Sequence, residues 1–315
     1  MACLTGAGSR WAIGILLVVC LKVAVASDEL FGVAYAPYRY MGVCPHAGEI
    51  QQDLCLMKKY TTKVRTYSTE CPEVLDLLFW NGFRVLIGVW IDNRASDQKE
   101  IDDLIQILRR HPQADIHGIV VGNEALYRET MTPTEVANRV KETRRKVRAL
   151  AEEVNSDVLR NVDIFSVEVF PHPEVVAVSD AVGANIHPFY NTHLAGDSNP
   201  ENMAGMAVMG TMHSMDMLKS YYPGKRFIVA EVGWPTDSKN GEAHEGKMDV
   251  TKHFMKKWPE YARNMGIEYF WFELCDSEWK KSMVDEPDDM SDFHFGIFRS
   301  DRSVKEMASS ETSGC

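Results

Sequence analysis

The sequence has 315 residues, of which 45% are hydrophobic and 25% are charged, a balance typical of a globular protein. With 34 basic and 45 acidic residues, its net charge is -11 at pH 7. Such a negative field repels phosphate, so the composition disfavours nucleic acid and anionic lipid as partners and favours a neutral or weakly charged ligand.

The N-terminal segment has the layout of a secretory signal peptide. A short start with one positive charge precedes the apolar run Trp11–Leu21, and Ala24-Val25-Ala26 is a cleavage site of small residues. A membrane anchor is disfavoured because the run is shorter than the roughly 18–20 apolar residues that a spanning helix needs. We therefore predict a signal peptide over 1–26, a main domain over 27–305 and a polar tail over 306–315. The mature protein is expected to be secreted, extracellular or in a cell wall, and free of the membrane.

Cleavage after Ala26 leaves five cysteines, namely Cys44, Cys55, Cys71, Cys275 and Cys315. Disulfides are permitted outside the cell, and the short spacing between Cys44 and Cys71 predicts one bridge within that group of three. Sequence alone does not decide which pair closes. The chain has no CxxC pair and no H-E-x-x-H spacing among its 10 histidines. We therefore expect neither a metal nor another cofactor.

From Leu30 onward, short apolar runs alternate with longer amphipathic segments. Several runs are nearly continuous in Val, Ile and Phe, which is typical of parallel strands buried on both faces. The predicted strands are Phe31–Ala36, Val64–Tyr67, Val85–Ile91, Gly118–Val121, Val162–Phe170, Ala181–His187, Phe227–Val232 and Glu268–Leu274.

The segments between these runs have helical signals. One helix carries apolar residues at i, i+3, i+4 and i+7 from Ile101 and is predicted to stop before His111-Pro112. Thr132-Pro133-Thr134-Glu135 is a capping box that begins the next helix. Three arginines of that helix, Arg144, Arg145 and Arg148, are predicted to lie on its solvated face.

The alternation predicts a single-domain (β/α)8 TIM barrel. A doubly wound open sheet is the alternative, but it usually carries a glycine-rich phosphate turn after its first strand. The sequence there is Tyr35-Ala36-Pro37-Tyr38. The barrel is therefore favoured.

Active residues of such a barrel lie at the C-terminal ends of its strands. Three predicted strands end in a glutamate, namely Glu124, Glu231 and Glu273. A buried carboxylate is costly unless it is paired, so each glutamate either forms a salt bridge across the barrel mouth or belongs to a site. A site is favoured because aromatic residues share the same rim, at Tyr35, Tyr67, Trp90, Tyr190, Trp234 and Trp271.

Paired carboxylates beside aromatic rings are what glycoside cleavage requires. One carboxylic acid protonates the leaving oxygen, and the other attacks the anomeric carbon or activates water. Aromatic rings cover the apolar faces of sugars, and Asn123 is placed to bind the sugar 2-hydroxyl. The pattern predicts a glycosidase.

Val121-Gly122-Asn123-Glu124 and Ala230-Glu231-Val232-Gly233-Trp234-Pro235 resemble the two signatures of glycoside hydrolase family 17, the β-1,3-glucanases, in a fungal or oomycete-like form. The resemblance implies a retaining endo-1,3-β-glucanase with Glu124 as acid/base and Glu231 as nucleophile. It also implies that five residues line the cleft, Tyr35, Asn123, Tyr190, Glu273 and Lys280. Trp234 is added to the predicted sugar contacts from its place on the rim.

The expected partner is a β-1,3-glucan polysaccharide or oligosaccharide, bound by a monomer. The segment after Glu273 departs from the family pattern at Leu274, Cys275, Ser277 and Glu278, and Asp292 replaces a longer acid. These departures leave endo, exo and transfer action open. A cell-wall transglucosylase and a non-catalytic glucan-binding barrel remain as alternatives.

Overall fold

A computed structural model describes residues 30–190, 199–237, 248–283 and 290–306. The predicted signal peptide over 1–26 lies outside the described residues. So do Cys315 and, apart from residue 306, the predicted polar tail.

Eight parallel strands close into a barrel in which each strand pairs with the next and β8 pairs with β1. The predicted (β/α)8 fold is confirmed. β1 is only two residues long, although Tyr35 beyond it still donates its backbone N–H to the Arg65 carbonyl oxygen. The strands are β1 Val33–Ala34, β2 Lys63–Arg65, β3 Arg84–Val89, β4 Ile116–Asn123, β5 Ile164–Glu168, β6 Ala181–Asn185, β7 Arg226–Val232 and β8 Glu268–Trp271.

Helices surround the barrel, and α4 and α5 both lie between β4 and β5. In the described residues, β8 is followed by two short 3-10 helices, Glu278–Met283 and Ser291–Phe293. The α-helices are α1 Ala47–Met57, α2 Pro72–Trp80, α3 Ser96–Arg110, α4 Pro133–Glu153, α5 Asp157–Asn161, α6 Pro173–Ala177, α7 Pro200–Tyr221 and α8 Met248–Met265.

Two helix boundaries match the sequence signals. α3 ends at Arg110, directly before His111, as predicted. At the start of α4, the Thr132 hydroxyl accepts from the Glu135 N–H, while the Glu135 carboxylate accepts from the Thr132 N–H at 2.7 Å. Both predicted boundaries are confirmed.

The arginines of α4 are less solvated than predicted. Arg145 is exposed, but Arg144 and Arg148 are half-buried. Arg144 donates to the Ile164 carbonyl oxygen at 3.0 Å, and Arg148 donates to that of Val162 at 2.7 Å. The prediction is wrong for these two residues because their long side chains reach carbonyls at the start of β5.

The core has two layers. The larger lies between the sheet and the helices, and the smaller fills the barrel with side chains from β3 to β8. The inward residues are Leu86, Val120, Phe165, Val167, Ala181, Ile228, Ala230 and Phe270. Gly183 of β6 makes room for them, since a Cβ there would lie 2.6 Å from Val167 and 2.9 Å from Phe165.

A disulfide joins Cys44, in the loop after β1, to Cys71 at the start of α2. One bridge was expected within the group Cys44, Cys55 and Cys71, and this expectation is confirmed. The pair that the sequence left open is Cys44 with Cys71. Cys275 is buried with a free thiol. None of the helices in the described part of the chain has the length and apolar character that a membrane span needs.

Candidate active site

Glu231 lies on β7, buried at the C-terminal end of the barrel. Three side chains hold its carboxylate. Arg65 of β2 and the Tyr67 hydroxyl donate to Oε1 at 2.8 and 2.9 Å, and His187 Nε2 lies 3.0 Å from Oε2. Burial by itself would raise the pKa of Glu231, but the positive charge of Arg65 and the hydrogen bonds from His187 and Tyr67 lower it to about 2. Glu231 is therefore ionised at any physiological pH.

Glu124 follows β4 in a backbone conformation that side chains rarely adopt. Its φ is 54°, and Gly122, two residues earlier, has φ 86°. Left-handed φ is uncommon outside glycine and occurs often at functional sites. The turn leaves Glu124 half-buried, and Asn185 of β6 donates to its Oε1 at 2.6 Å.

The surroundings of Glu124 favour the protonated acid. Burial raises the pKa of Glu124, and the negative charge of Glu231 raises it further. The hydrogen bond from Asn185 and the charges of His187 and Arg65 only partly oppose this rise. The two glutamates thus sit in one cluster with pKa values shifted in opposite directions.

Arg65 connects the end of β4, at Asn123, with β7, at Glu231. Its Nη1 donates to Glu231, to the Ala230 carbonyl oxygen at 2.7 Å and to Asn185 Oδ1 at 3.2 Å. Its Nη2 donates to Asn123 Oδ1 at 2.6 Å, and Asn185 Nδ2 lies 3.1 Å from that same oxygen. Because guanidinium geometry is rigid, this network fixes the β4 and β7 residues relative to each other.

Glu273 follows β8 and is buried beside the cluster, with one carboxylate oxygen lacking a hydrogen-bond partner. Burial raises its pKa to about 7, although the Lys280 charge opposes this. The Lys280 ammonium lies 5.2 Å from the centre of the Phe272 ring, and no ion pair within 4 Å joins it to Glu273 in the described structure. Glu273 is therefore a neutral acid at acidic pH.

Tyr190 lies at the edge of the same region and is 49% exposed. Its hydroxyl donates to Asp292 and lies 3.2 Å from Ser291 Oγ. Its ring packs edge-on against His187, with centroids 6.2 Å apart. The structure thus places Tyr190 next to the Glu231 cluster with a surface open to solvent.

Tyr35 and Trp234 are almost fully buried, and each is only 1% exposed. The Tyr35 hydroxyl donates to Asp53 at 2.8 Å, and the Trp234 ring packs against Phe189 and Phe254. Glu231 and Glu273 are buried to a similar degree, at 4% and 2% exposure. Burial therefore does not decide the role of the two aromatic residues, and their contact with sugar stays a prediction.

Sequence reasoning placed Tyr67 on the rim without giving it a role, and it missed four other residues of the site region, namely Arg65, Asn185, His187 and Glu168. Arg65 carried a usable signal, since a charged residue inside a short apolar strand needs a buried partner. Glu168 was hidden because the fifth strand was predicted to run to Phe170, whereas β5 ends at Glu168. In the structure, β5 therefore also ends in a glutamate.

The family model of the BtgE/BtgC glycoside hydrolase domain matches residues 32–293. Glucan endo-1,3-beta-glucosidase btgC of Emericella nidulans is 27% identical over 281 residues, covering 83% of this chain and 42% of that protein. A probable btgC of Aspergillus fumigatus is also 27% identical, with 79% and 38% covered. The chain spans about two fifths of the length of these curated relatives.

Two solved structures share the fold. An active-site mutant of the Rhizomucor miehei beta-1,3-glucanosyltransferase, in complex with laminaritriose, is 22% identical with a TM-score of 0.71, covering 90% of this chain and 98% of that one. An endo-laminarinase from Formosa is 18% identical with a TM-score of 0.69, covering 88% and 85%. These two structures show the shared fold. The family model over 32–293 shows that this chain belongs to the BtgE/BtgC glycoside hydrolase domain family, in agreement with the resemblance of its strand-end motifs to glycoside hydrolase family 17.

Proposed function

We propose that this protein is a secreted glycoside hydrolase that cleaves β-1,3-glucan by double displacement with retention, in the manner of an endo-1,3-β-glucanase. Family membership and the names of the btgC relatives support the substrate class. The observation that carries the mechanism is electrostatic. Two glutamates linked through Asn185 and Arg65 have pKa values shifted apart, which is how one site supplies an acid and a nucleophile.

Glu231 is the proposed nucleophile. Its carboxylate carries a negative charge and attacks the anomeric carbon, and the glycosidic oxygen leaves as the covalent glycosyl-enzyme forms. Arg65, Tyr67 and His187 hold it in place. These contacts stabilise the charged ground state, but they also fix the attacking oxygen, which lowers the entropy cost of reaching the transition state.

Glu124 is the proposed acid/base. Protonated Glu124 gives its proton to the leaving glycosidic oxygen and becomes a carboxylate. That carboxylate then takes a proton from the water that attacks the anomeric carbon, which regenerates both Glu124 and free Glu231. The opposing influences on its pKa suit a group that changes charge twice in each cycle.

Four further residues are proposed to contact sugar. Asn123 uses its Oδ1 for the bonds from Arg65 and Asn185, so its amide nitrogen is the donor for the 2-hydroxyl. Neutral Glu273 can donate a hydrogen bond to a hydroxyl, and Lys280 beside it supplies a second donor. The half-exposed ring of Tyr190 provides a stacking face.

Hydrolysis of laminarin tests this proposal. The purified protein is expected to release reducing ends, and the E124Q/E231Q double variant is expected to release none above background. A wild-type protein that binds laminarin without cleaving it would contradict the enzyme and support the non-catalytic barrel.

Transfer of the glycosyl group to a second glucan is the alternative outcome of the same intermediate. The similarity in fold to a beta-1,3-glucanosyltransferase favours keeping it as a candidate. Product analysis at rising laminari-oligosaccharide concentration separates the two activities. If products longer than the substrate dominate as its concentration rises, the activity is transfer. If the products stay shorter than the substrate at every concentration, the activity is hydrolysis.

Secretion as a monomer is also part of the proposal. The Cys44–Cys71 disulfide supports an oxidising compartment. Expression of the full chain in a secreting host is expected to give a protein in the medium that begins at Ser27 and elutes as a monomer. Retention in the cell with an intact N-terminus would contradict the predicted cleavage.

A further inference from the structure

Glu168 is a buried carboxyl group that the double-displacement mechanism does not use. It is the last residue of β5 and is only 2% exposed. It nevertheless lies beside the proposed acid/base, because the Glu124 N–H donates to the carbonyl oxygen of Val167 at 2.8 Å. Its other neighbour is Ala184 of β6, adjacent to the Asn185 that binds Glu124.

The carboxyl group of Glu168 is linked to the chain on both sides of Glu124, directly on the C-terminal side and through Ser166 on the N-terminal side. On the C-terminal side, Oε2 accepts from the backbone N–H of Leu126 at 3.2 Å. On the N-terminal side, Ser166 Oγ lies 3.4 Å from Glu168 Oε1 and also 3.4 Å from the carbonyl oxygen of Gly122. Glu124 thus lies between Gly122 and Leu126, and both of these residues are linked to the side chain of Glu168.

The Ser166 hydroxyl has one proton to donate and two acceptors at 3.4 Å, Glu168 Oε1 and the carbonyl oxygen of Gly122. When Ser166 donates to Glu168, the carboxyl group accepts from two sides, from Ser166 and from the Leu126 N–H. When Glu168 is protonated, its own O–H donates to Ser166 Oγ, and the serine proton is then available to Gly122. The contact between Glu168 and Ser166 therefore exists in both charge states.

The charges around Glu168 agree with a neutral acid. The charged groups facing it are Glu124 and Arg128, both in the segment after β4, and β6 contributes Ala184 and Asn185, which do not titrate. No cation forms an ion pair with Glu168 within the described ranges. Burial and the charge of Glu124 raise the pKa of Glu168 to about 7, although backbone hydrogen bonds from Leu126 and Tyr127 oppose this.

The segment after β4, which contacts Glu168, has an unusual backbone conformation. Glu124 has left-handed φ, and so does Glu129 five residues later, at 55°. Between them, the Arg128 N–H donates to the Glu124 carbonyl oxygen at 2.9 Å. Left-handed non-glycine residues persist only where surrounding contacts enforce them.

We propose that Glu168 is a positioning residue that holds the Gly122–Tyr127 segment so that Glu124 can protonate the leaving oxygen. This role rests on the proposed function of Glu124. It assigns no contact between Glu168 and the substrate.

Three variants separate positioning from packing. In E168Q, the amide oxygen accepts from Leu126 and the amide nitrogen donates to Ser166, which reproduces the neutral acid. E168L keeps the approximate volume but removes both hydrogen bonds. E260Q, at an exposed position on α8, is the matched control. Thermal unfolding establishes that each variant is folded.

Kinetics on two substrates test the role. We expect E168L to lower kcat on laminarin by about tenfold to a hundredfold, in the range of acid catalysis, with little change in KM. On an aryl β-glucan oligosaccharide whose leaving group needs no protonation, we expect formation of the glycosyl-enzyme to stay within about threefold of wild type. E168Q is expected to match wild type on both substrates. Equal losses on the two substrates, or a loss in E168Q as large as in E168L, would overturn the proposal.

Amide hydrogen exchange tests the anchor without activity. The peptide over 122–131 is expected to exchange faster in E168L than in wild type and E168Q, while a peptide from α8 stays unchanged. Unchanged exchange at 122–131 would overturn the positioning role even in an active enzyme. Conversely, a wild-type enzyme with no activity on any glucan, but with faster exchange in E168L, would overturn the catalytic proposal and leave the structural anchor established.

Discussion

At the scale of single residues, Glu124 and Glu231 have the same side chain and opposite surroundings. Glu231 receives hydrogen bonds from an arginine and a tyrosine, whereas Glu124 receives one from a neutral asparagine. Desolvation acts on both, but only Glu231 has a cation at 2.8 Å to overcome it. The proposed division of roles therefore rests on neighbours supplied by β2 and β6.

Replacing Glu231 with Gln removes the charge that forms the glycosyl-enzyme bond. We expect kcat on laminarin to fall by at least about a thousandfold, because the amide is a poor nucleophile. The side-chain oxygen remains as an acceptor for Arg65, so the fold should persist. Initial rates and circular dichroism measure the two effects, with E260Q as the control. Retention of more than a few per cent of activity would contradict the assignment.

Replacing Glu124 with Ala removes the acid and the base. We expect the loss to be largest for substrates with poor leaving groups, and azide to restore turnover of an activated aryl substrate by forming a glycosyl azide. In the wild type, activity requires ionised Glu231 and protonated Glu124. The kcat/KM profile should therefore be bell-shaped and acidic, with an acid limb near pH 2 and an alkaline limb above pH 4.5. Equal losses for all leaving groups, without azide rescue, would remove Glu124 from this role.

Sequence patterns identified strand-end glutamates, but they did not identify what holds them. Arg65 and Asn185 act through contacts between strands that are distant in sequence. The spacing of these residues along the chain does not indicate such contacts. Nor did the sequence patterns show that Tyr35 and Trp234 are almost fully buried, because a place at a strand end does not say which side of the sheet a residue faces. Glu168 was missed through a boundary error of two residues.

At the scale of elements, the strands were predictable because parallel strands buried on both faces are continuous apolar runs. Helix ends were predictable where capping residues mark them, as at Thr132. Strand ends were less so, because hydrogen bonding stops before the apolar run does. The charged network at the opposite end of the barrel left no motif at all. There, Arg226 of β7 donates to Asp163 before β5, while His117 of β4 meets Glu268 of β8.

Glu268 gives this network a measurable pH dependence. Burial would raise its pKa, but hydrogen bonds from His117 and Arg226 lower it to about 2. Because the pKa is lower in the folded state, its stabilising contribution is present above pH 4.5 and disappears as the pH falls towards 2. We expect E268Q to lower the free energy of unfolding by on the order of 2 kcal/mol at pH 7. Denaturant titrations of wild type and E268Q at pH 7 and at pH 2 measure this loss.

E260Q is the control in the same titrations. It should have the same free energy of unfolding as the wild type at both pH values. A difference between E268Q and wild type that is as large at pH 2 as at pH 7 would show that the substitution acts through packing and not through the lowered pKa.

At the scale of the whole molecule, Asp53 of α1 joins the beginning and end of the described chain. Its fully buried carboxylate accepts from the Tyr35 hydroxyl at 2.8 Å, from Arg39 at 2.7 Å and from Arg302 at 2.9 Å. A second buried pair, Lys305 with Asp276 at 2.6 Å, holds the same C-terminal segment. Ion pairs therefore hold the C-terminal segment against α1 and against the loop after β8.

Replacing Asp53 with Ala leaves two guanidinium groups without their buried partner. We expect a loss of about 3–5 kcal/mol in the free energy of unfolding, the usual cost of breaking a buried pair from one side. The D53A/R302A double variant should lose less than the sum of the single variants, because the residues interact directly. D216A, at an exposed position on α7, is the control. Additive losses in the double variant would contradict direct coupling.

The central claim is that Glu124 and Glu231 cleave β-glucan by two successive displacements at the anomeric carbon. Each displacement inverts that carbon, so the first product released keeps the β configuration. Proton NMR of a laminari-oligosaccharide during the first minutes of hydrolysis, before mutarotation, observes that anomer directly. We predict that the β-anomer signal grows first and the α-anomer follows slowly. An α-anomer that appears first would show single displacement and contradict the account.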